Sequence, residues 1–423
     1  MNRKRSRAKK LFAKLLLVLM GFIFGGAIAE VALRAGGYSY PEFYKRDEVC
    51  GVSLLPGAEG WYRKEGEAYV RINSDGLRDE EHALTKAADT FRIAVIGDSY
   101  CEALSVPVEA AFWLVMRRDL QECAAFRGKQ IEVINFGVSG YGTAQELLTL
   151  REKVWKYSPD LVLLAITTNN DITDNTRALK KTDDAPYFVY RGDQLTLDDS
   201  FKHSRAFLFS QSRVGRMLNW LRINSRSVQA ITQGQRGFKV LLASWRAKRS
   251  AKSGPEKQDP GGPGDSQHPT EKSDLFARSE ELGTDNLVYL EPPNPVWSDA
   301  WRVTEGLIVQ MRDDVIRGGA KFVVVTLSNG PQVLPDANLR ERFKQRFGIT
   351  DLLYPDNRIK ALGSRERISV ITLAPALQEF AEQNKVFLHG FGEDIGNGHW
   401  NITGHRVAGQ LIAKKICEDA LLK

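Results

Sequence analysis

Cysteine and histidine are scarce in this chain, with four of the first and six of the second in 423 residues. Cys50, Cys101, Cys123 and Cys417 stand at no metal-ligand spacing, and the histidines do not supply the missing ligands. No metal and no organic cofactor is therefore expected. Nor does the spacing select a disulfide pair, although an oxidising compartment would permit one. Acid is absent from the first fourteen residues, where Arg3, Lys4, Arg5, Arg7, Lys9, Lys10 and Lys14 account for the whole net charge of +7. The rest of the chain is balanced, so a nucleic-acid partner is not indicated.

What is present begins with that basic tail, residues 1–14. It runs directly into the uncharged apolar stretch Leu15 to Ala29, which Val31 to Leu33 extends past Glu30. Two readings are open. Ala27-Ile28-Ala29 fits a signal-peptide cleavage site. A permanent transmembrane signal-anchor over 15–36 accounts better for the continuing helical pattern and for Lys14, which can snorkel at one end, and is preferred. In both cases the positive flank stays in the cytoplasm and the remainder lies on the extracytoplasmic, periplasmic side. No twin-arginine pattern is evident.

The remaining length and a 43% hydrophobic content suit one large domain with insertions. Residues 37–90 read as a lead-in segment in which Ala68 to Ile72 alternates like a strand entering the turn Asn73 to Gly76; no chemistry is assigned to it. From residue 91 strands and helices alternate. Strands are expected at Ile93–Ile96, Ile131–Ile134, Leu161–Ile166, Phe322–Leu327 and Ser369–Leu373. Helices are expected at Glu109–Leu120, Ala144–Lys156, Ala376–Asn384 and Gly404–Lys415. This is the pattern of βαβ units in an α/β fold, a three-layer flavodoxin-like parallel sheet. An insertion is placed at 183–300. It holds a hairpin over Tyr187–Leu197, helices near Val214–Leu221 and Phe238–Arg249, and a Gly/Pro/Lys/Ser-rich loop at 250–273 that cannot bury enough apolar surface to order.

Chemistry concentrates at the ends of the strands. The first expected strand stops at Gly97-Asp98-Ser99, which places one hydroxyl at the carboxyl edge of the sheet, where open α/β folds bind ligands. The second ends in Asn135-Phe136-Gly137-Val138-Ser139-Gly140, whose glycines let backbone amides approach a reacting oxygen. The third ends in Thr168-Asn169-Asn170-Asp171, and Gly398-His399-Trp400 comes late in the chain. A hydroxyl, amide donors and an imidazole are the parts of an acyl-transfer site. Ser139 is a rival serine, but Tyr141 stands where a G-x-S-x-G elbow needs glycine. Cys101 reads as a buried hydrophobe and His405 as a packing or capping residue, while His389 shapes its loop.

In these four blocks the chain resembles the SGNH/GDSL hydrolases from about Phe91 to Lys415, with the insertion excluded. The resemblance implies a nucleophile at Ser99, a general base at His399, and an oxyanion hole from the Ser99 and Gly140 amides and the Asn170 side chain. Thr168 replaces the usual leading glycine of the third block. Gly396 stands where the family commonly carries an aspartate, three residues before the histidine. The third triad member is then Asp394, or else Asn397 or a backbone carbonyl orients the ring.

Three function classes are compatible. The first is an exported serine esterase acting on an O-acylated glycan or lipid. The second is an O-acyltransferase on exopolysaccharide or cell-wall glycan, and the third a catalytically weak glycan-binding protein. The four blocks do not identify the substrate or the oligomeric state.

Overall fold

Short hairpins precede the main sheet in the computed structural model, which describes residues 2–38, 40–235 and 286–418. Strand β1 (Tyr44–Asp47) pairs with β2 (Gly51–Leu54), and β3 (Glu59–Tyr62) with β4 (Ala68–Arg71), both antiparallel. The central sheet then takes β5 (Thr90–Gly97), β6 (Gln130–Asn135) and β7 (Leu161–Thr167). A third hairpin, β8 (Tyr187–Arg191) with β9 (Gln194–Asp198), intervenes before β10 (Lys321–Leu327) and β11 (Ser369–Thr372) complete the sheet. Its order is β11-β10-β7-β5-β6 with every pairing parallel, the flavodoxin-like arrangement expected.

The apolar runs form strands because both sheet faces are covered, as parallel sheets require. Every residue of β7 is buried. Alternation divides β5 between two cores: Ala94 and Ile96 pack on one face with Ile134, Val162 and Val324. Ile93 and Val95 pack on the other with Val133, Leu163 and Val325. The register pairs Ile93 with Leu161 and Val95 with Leu163, so the residues after β5 and β7 emerge side by side at one edge.

Differences from the sequence reading have local causes. The helix expected over Glu109–Leu120 is a 3-10 turn, Val108–Ala110, followed by the helix Phe112–Gln121, and Ala144–Lys156 similarly divides into Thr143–Glu152 and Val154–Tyr157. The insertion boundary at Ala300 falls inside a 23-residue helix, Pro295–Arg317. Asn294 caps its start by accepting from Trp297 N at 3.2 Å. Trp297, Trp301, Leu307 and Met311 then bury its inner face in the first core. Helices Ala337–Phe347 and Tyr354–Glu366 were not anticipated. The stretches expected as a helix at Phe238–Arg249 and as a loop at 250–273 lie outside the described residues. A disulfide joins Cys123 to Cys417, 294 residues apart, tying the end of the helix Ile402–Glu418 to the loop after Phe112–Gln121.

The described residues of 1–42 and 209–270 form one compact unit, and those of 43–208 and 271–423 the other. The first contains the helix Asn2–Ala35, whose part Phe12–Ala35 is long and apolar enough to cross a membrane, with mean hydropathy 2.3. In the second, the lead-in segment is bound to the sheet by buried charge. Arg92 of β5 donates to Ala83 O at 2.9 Å and to Glu132 of β6 at 2.6 Å, and His82 lies 2.8 Å from Glu132.

Candidate active site

Strand β5 ends at Gly97, and Asp98 turns the chain into the four-residue helix Ser99–Glu102 by accepting from Tyr100 N at 2.9 Å. Ser99 thus occupies the first helical position, half-exposed between buried neighbours, with its amide among those a helix start leaves unpaired. The Ser99 hydroxyl lies 2.7 Å from His399 Nε2. The other ring nitrogen, Nδ1, hydrogen-bonds to Glu65 Oε2, and His399 N donates to Glu65 Oε1 at 2.9 Å. A carboxylate facing Nδ1 fixes that nitrogen as the N–H, leaving Nε2 free to accept from the serine.

Glu65 stands in the turn between β3 and β4, and Ser105 Oγ also donates to it at 3.2 Å. Burial pushes its pKa up, but the hydrogen bonds and charge of His399 outweigh burial and hold it below the usual carboxylate value. The close approach depends on glycine at 398. Its φ is +75°, and a Cβ there would collide with Glu65 Oε1. The histidine loop is fixed from behind by His389, whose Nδ1 donates to Gly398 O at 2.8 Å while its Nε2 accepts from Ser328 Oγ at 3.0 Å. Burial lowers the pKa of His389 to about 4, so it is a neutral strut. His405 is likewise buried, stacked on Phe112, with its pKa lowered by burial to about 3.

Asp394, expected as the third member, does not reach the ring. It is exposed, and it is its backbone carbonyl that accepts from Asn397 N at 3.0 Å. Glu65 already occupies the Nδ1 side, so neither Asn397 nor a backbone carbonyl orients the imidazole there. The carboxylate comes from the lead-in segment, whose sequence shows no catalytic pattern. Arg63-Lys64-Glu65-Gly66-Glu67 reads as an ordinary solvated turn, and 334 residues separate Glu65 from His399.

Gly140 sits at φ +77°, in the left-handed region that favours glycine. Its loop is held on both sides: Ser139 N donates to the buried Glu102 carboxylate at 2.6 Å, and Lys180 Nζ donates to Gly140 O at 2.6 Å. Ser139 Oγ also bonds to Glu102, which separates it from the histidine's chemistry. Arg78, fully buried, holds the segment after the Ser99–Glu102 helix by donating to Glu102 O at 2.7 Å and Val106 O at 2.6 Å. Asn170 donates from Nδ2 to Asp98 Oδ2 at 2.9 Å, linking the ends of β7 and β5. Its second amide hydrogen is not used in that bond. Thr168, at the position of the missing glycine, is buried and accepts from Asn329 at 3.1 Å.

Beneath the serine lie three fully buried carboxyls, Asp98, Asp171 and Glu146. Burial, reinforced by their mutual repulsion, raises the pKa of Glu146 and Asp171 well above the usual range; burial raises Asp98 as well. Neither oxygen of Glu146 has a hydrogen-bond partner within the described residues, as expected of a group kept neutral. An acid with a raised folded-state pKa gives a contribution fully present below its unfolded value and lost as pH rises toward the folded one. Glu146→Gln, which copies the protonated acid, should therefore flatten the fall of the thermal midpoint from mildly acidic to mildly alkaline pH. A steeper fall in the variant would contradict a neutral Glu146.

No family model and no curated protein matches the chain. Solved structures do. The acetyl xylan esterase AlAXEase is 12% identical, covers 77% of this chain and all of its own, and has a TM-score of 0.36. The acetylxylan esterase Axe2 from Geobacillus stearothermophilus is 10% identical over 78% of this chain and 96% of its own, with a TM-score of 0.36. A protein from Desulfitobacterium hafniense assigned as lipolytic and of the G-D-S-L family is 10% identical over 76% and 98%, with a TM-score of 0.33. The sheet order defines the class by itself: an α/β fold on a five-stranded parallel sheet of flavodoxin-like order, with Ser99 and His399 brought together at its carboxyl edge.

Proposed function

We propose that the chain is a serine esterase acting by acyl transfer on an O-acylated glycan or lipid, held at the membrane by its N-terminal helix. The continuous Ser99–His399–Glu65 hydrogen-bond chain carries this reading. Ser99 Oγ attacks the ester carbonyl carbon as His399 Nε2 removes its proton, and ionised Glu65 stabilises the imidazolium that forms. The Ser99 and Gly140 amides and Asn170 Nδ2 receive the oxyanion, each such donor contributing about 3 to 4 kcal/mol in the transition state. Collapse breaks the bond to the alcohol, which leaves with the proton from His399. Water, deprotonated by His399, then cleaves the acyl-serine and restores the hydroxyl.

The view of a catalytically weak binding protein rested on Gly396, and Glu65 removes that ground. A serine-directed phosphonate should label Ser99 and leave Ser139 unmodified. Peptide mapping that finds the label on Ser139, or finds no label, would overturn the assignment. Adding acylated donor together with a polysaccharide acceptor then separates the two chemistries: free acid marks the esterase, acylated acceptor the transferase.

The extracytoplasmic placement draws support from the Cys123–Cys417 disulfide, because such bonds persist in oxidising compartments, and from the seven cationic residues before the apolar run. Protease added to spheroplasts should digest the folded part and spare the N-terminal helix. Full resistance would place the chain inside, and a mature N-terminus at Glu30 would remove the anchor.

A further inference from the structure

Glu30 interrupts the apolar helix about 27 Å beyond Phe12, close to where a hydrocarbon core of about 30 Å ends. Its carboxylate accepts from Ser225 Oγ at 2.9 Å, Arg226 N at 3.0 Å and Ser227 N at 2.9 Å. One turn on, Arg34 donates to Glu30 at 2.8 Å and to Asn224 O at 2.6 Å. These bonds seize the junction between two helices, Arg213–Asn224 and residues 226–235. Arg34 satisfies the carbonyl end of the first and Glu30 the amide end of the second, each with the sign that complements the helix dipole. Arg222 pairs with Glu42, and Tyr40 N donates to Gln229 Oε1 at 3.3 Å, so the brace extends past the end of the apolar helix.

The helices so held bury little. Val214, Met217 and Leu218 are exposed at the i, i+3, i+4 spacing of one helical face, and Trp220 beside them is 61% exposed. Phe209 and Ile231 are exposed on the flanking segments. Arg213 and Arg216 are exposed too, with no acidic partner among the described residues. No aspartate or glutamate occurs between Asp199 and Glu256.

We infer that this helix pair is a second membrane element, lying in the outer interface of the bilayer that the N-terminal helix spans, with its apolar face among the acyl chains and its arginines on anionic headgroups. The inference rests on the anchor reading above. The Glu30–Arg34 brace fixes the pair at headgroup depth, tryptophan and arginine are residues of that layer, and an acid-free stretch complements a negative surface.

The full-length chain, reconstituted in phosphatidylethanolamine–phosphatidylglycerol vesicles with brominated acyl chains, tests it. After an alkaline wash the protein should float with the vesicles, and bromine should quench an emission component that Trp220→Phe removes. Met217→Glu with Leu218→Glu should reduce that quenching severalfold while flotation persists through the N-terminal helix. Protein that floats but whose Trp220 emission ignores bromine overturns the inference and leaves the anchor standing. The same holds if Trp220 is shielded by a second copy, seen as emission that follows the protein-to-lipid ratio. Protein that fails to float overturns both.

Discussion

Glu65→Gln should lower kcat for a small activated ester by about 10⁴-fold, with little change in KM. The amide keeps the size of the side chain and can still accept from His399 N. Opposite Nδ1, however, it either presents an N–H, forcing the ring into the tautomer that cannot accept from Ser99, or offers an oxygen without charge. In both cases the imidazolium formed during attack loses its counter-charge, and the loss falls on the transition state. Asp394→Asn, by contrast, should leave the rate unchanged, because that side chain faces solvent. Steady-state kinetics of the two variants side by side decide the matter: equal effects, or a larger one at Asp394, would remove Glu65 from the role. Since His399 holds the Glu65 pKa down, Glu65 also contributes stability that is present above its unfolded value and lost as pH falls through the folded one. The glutamine variant should accordingly show a shallower loss of thermal midpoint in acid.

Ser99→Ala should cost about 10⁶-fold in kcat, the scale seen when a nucleophile is removed from a serine triad. Ser139 cannot substitute, because its hydroxyl is committed to the buried Glu102 carboxylate. The variant should fold normally: Ser99 is half-exposed, Asp98 still caps the helix through Tyr100 N, and Asn170 still bridges to Asp98. An unchanged melting curve together with retained hydrolysis would sink the nucleophile assignment.

The parts of the molecule legible in the sequence are those whose physics is local. Ile93–Ile96 and Leu161–Ile166 announce buried parallel strands because an uninterrupted β-branched or leucine run has few other uses, and both lie within observed strands. The strand-end blocks were visible because each polar cluster directly follows such a run. The helix Pro295–Arg317 carries an Asn-Pro start and apolar residues at helical spacing, but its first turn adjoins a long polar stretch, which hides where the insertion ends. Glu65 was hidden for another reason. Its position depends on how a hairpin docks, through Arg78 to Glu102 O and through His82 to Glu132, and no local pattern encodes that docking. The Cys123–Cys417 pairing is of the same kind: the helix Ile402–Glu418 brings its end to Cys123 only once both pack on the sheet.

The span from Glu65 to His399 also sets a clock. During synthesis the carboxylate leaves the ribosome first, the serine soon after, and the imidazole only 334 residues behind the carboxylate. At ordinary elongation rates that delay is on the order of tens of seconds. Throughout it the nascent chain holds the proposed nucleophile without the proposed base, so on that reading the chain becomes competent only when nearly all of it has emerged.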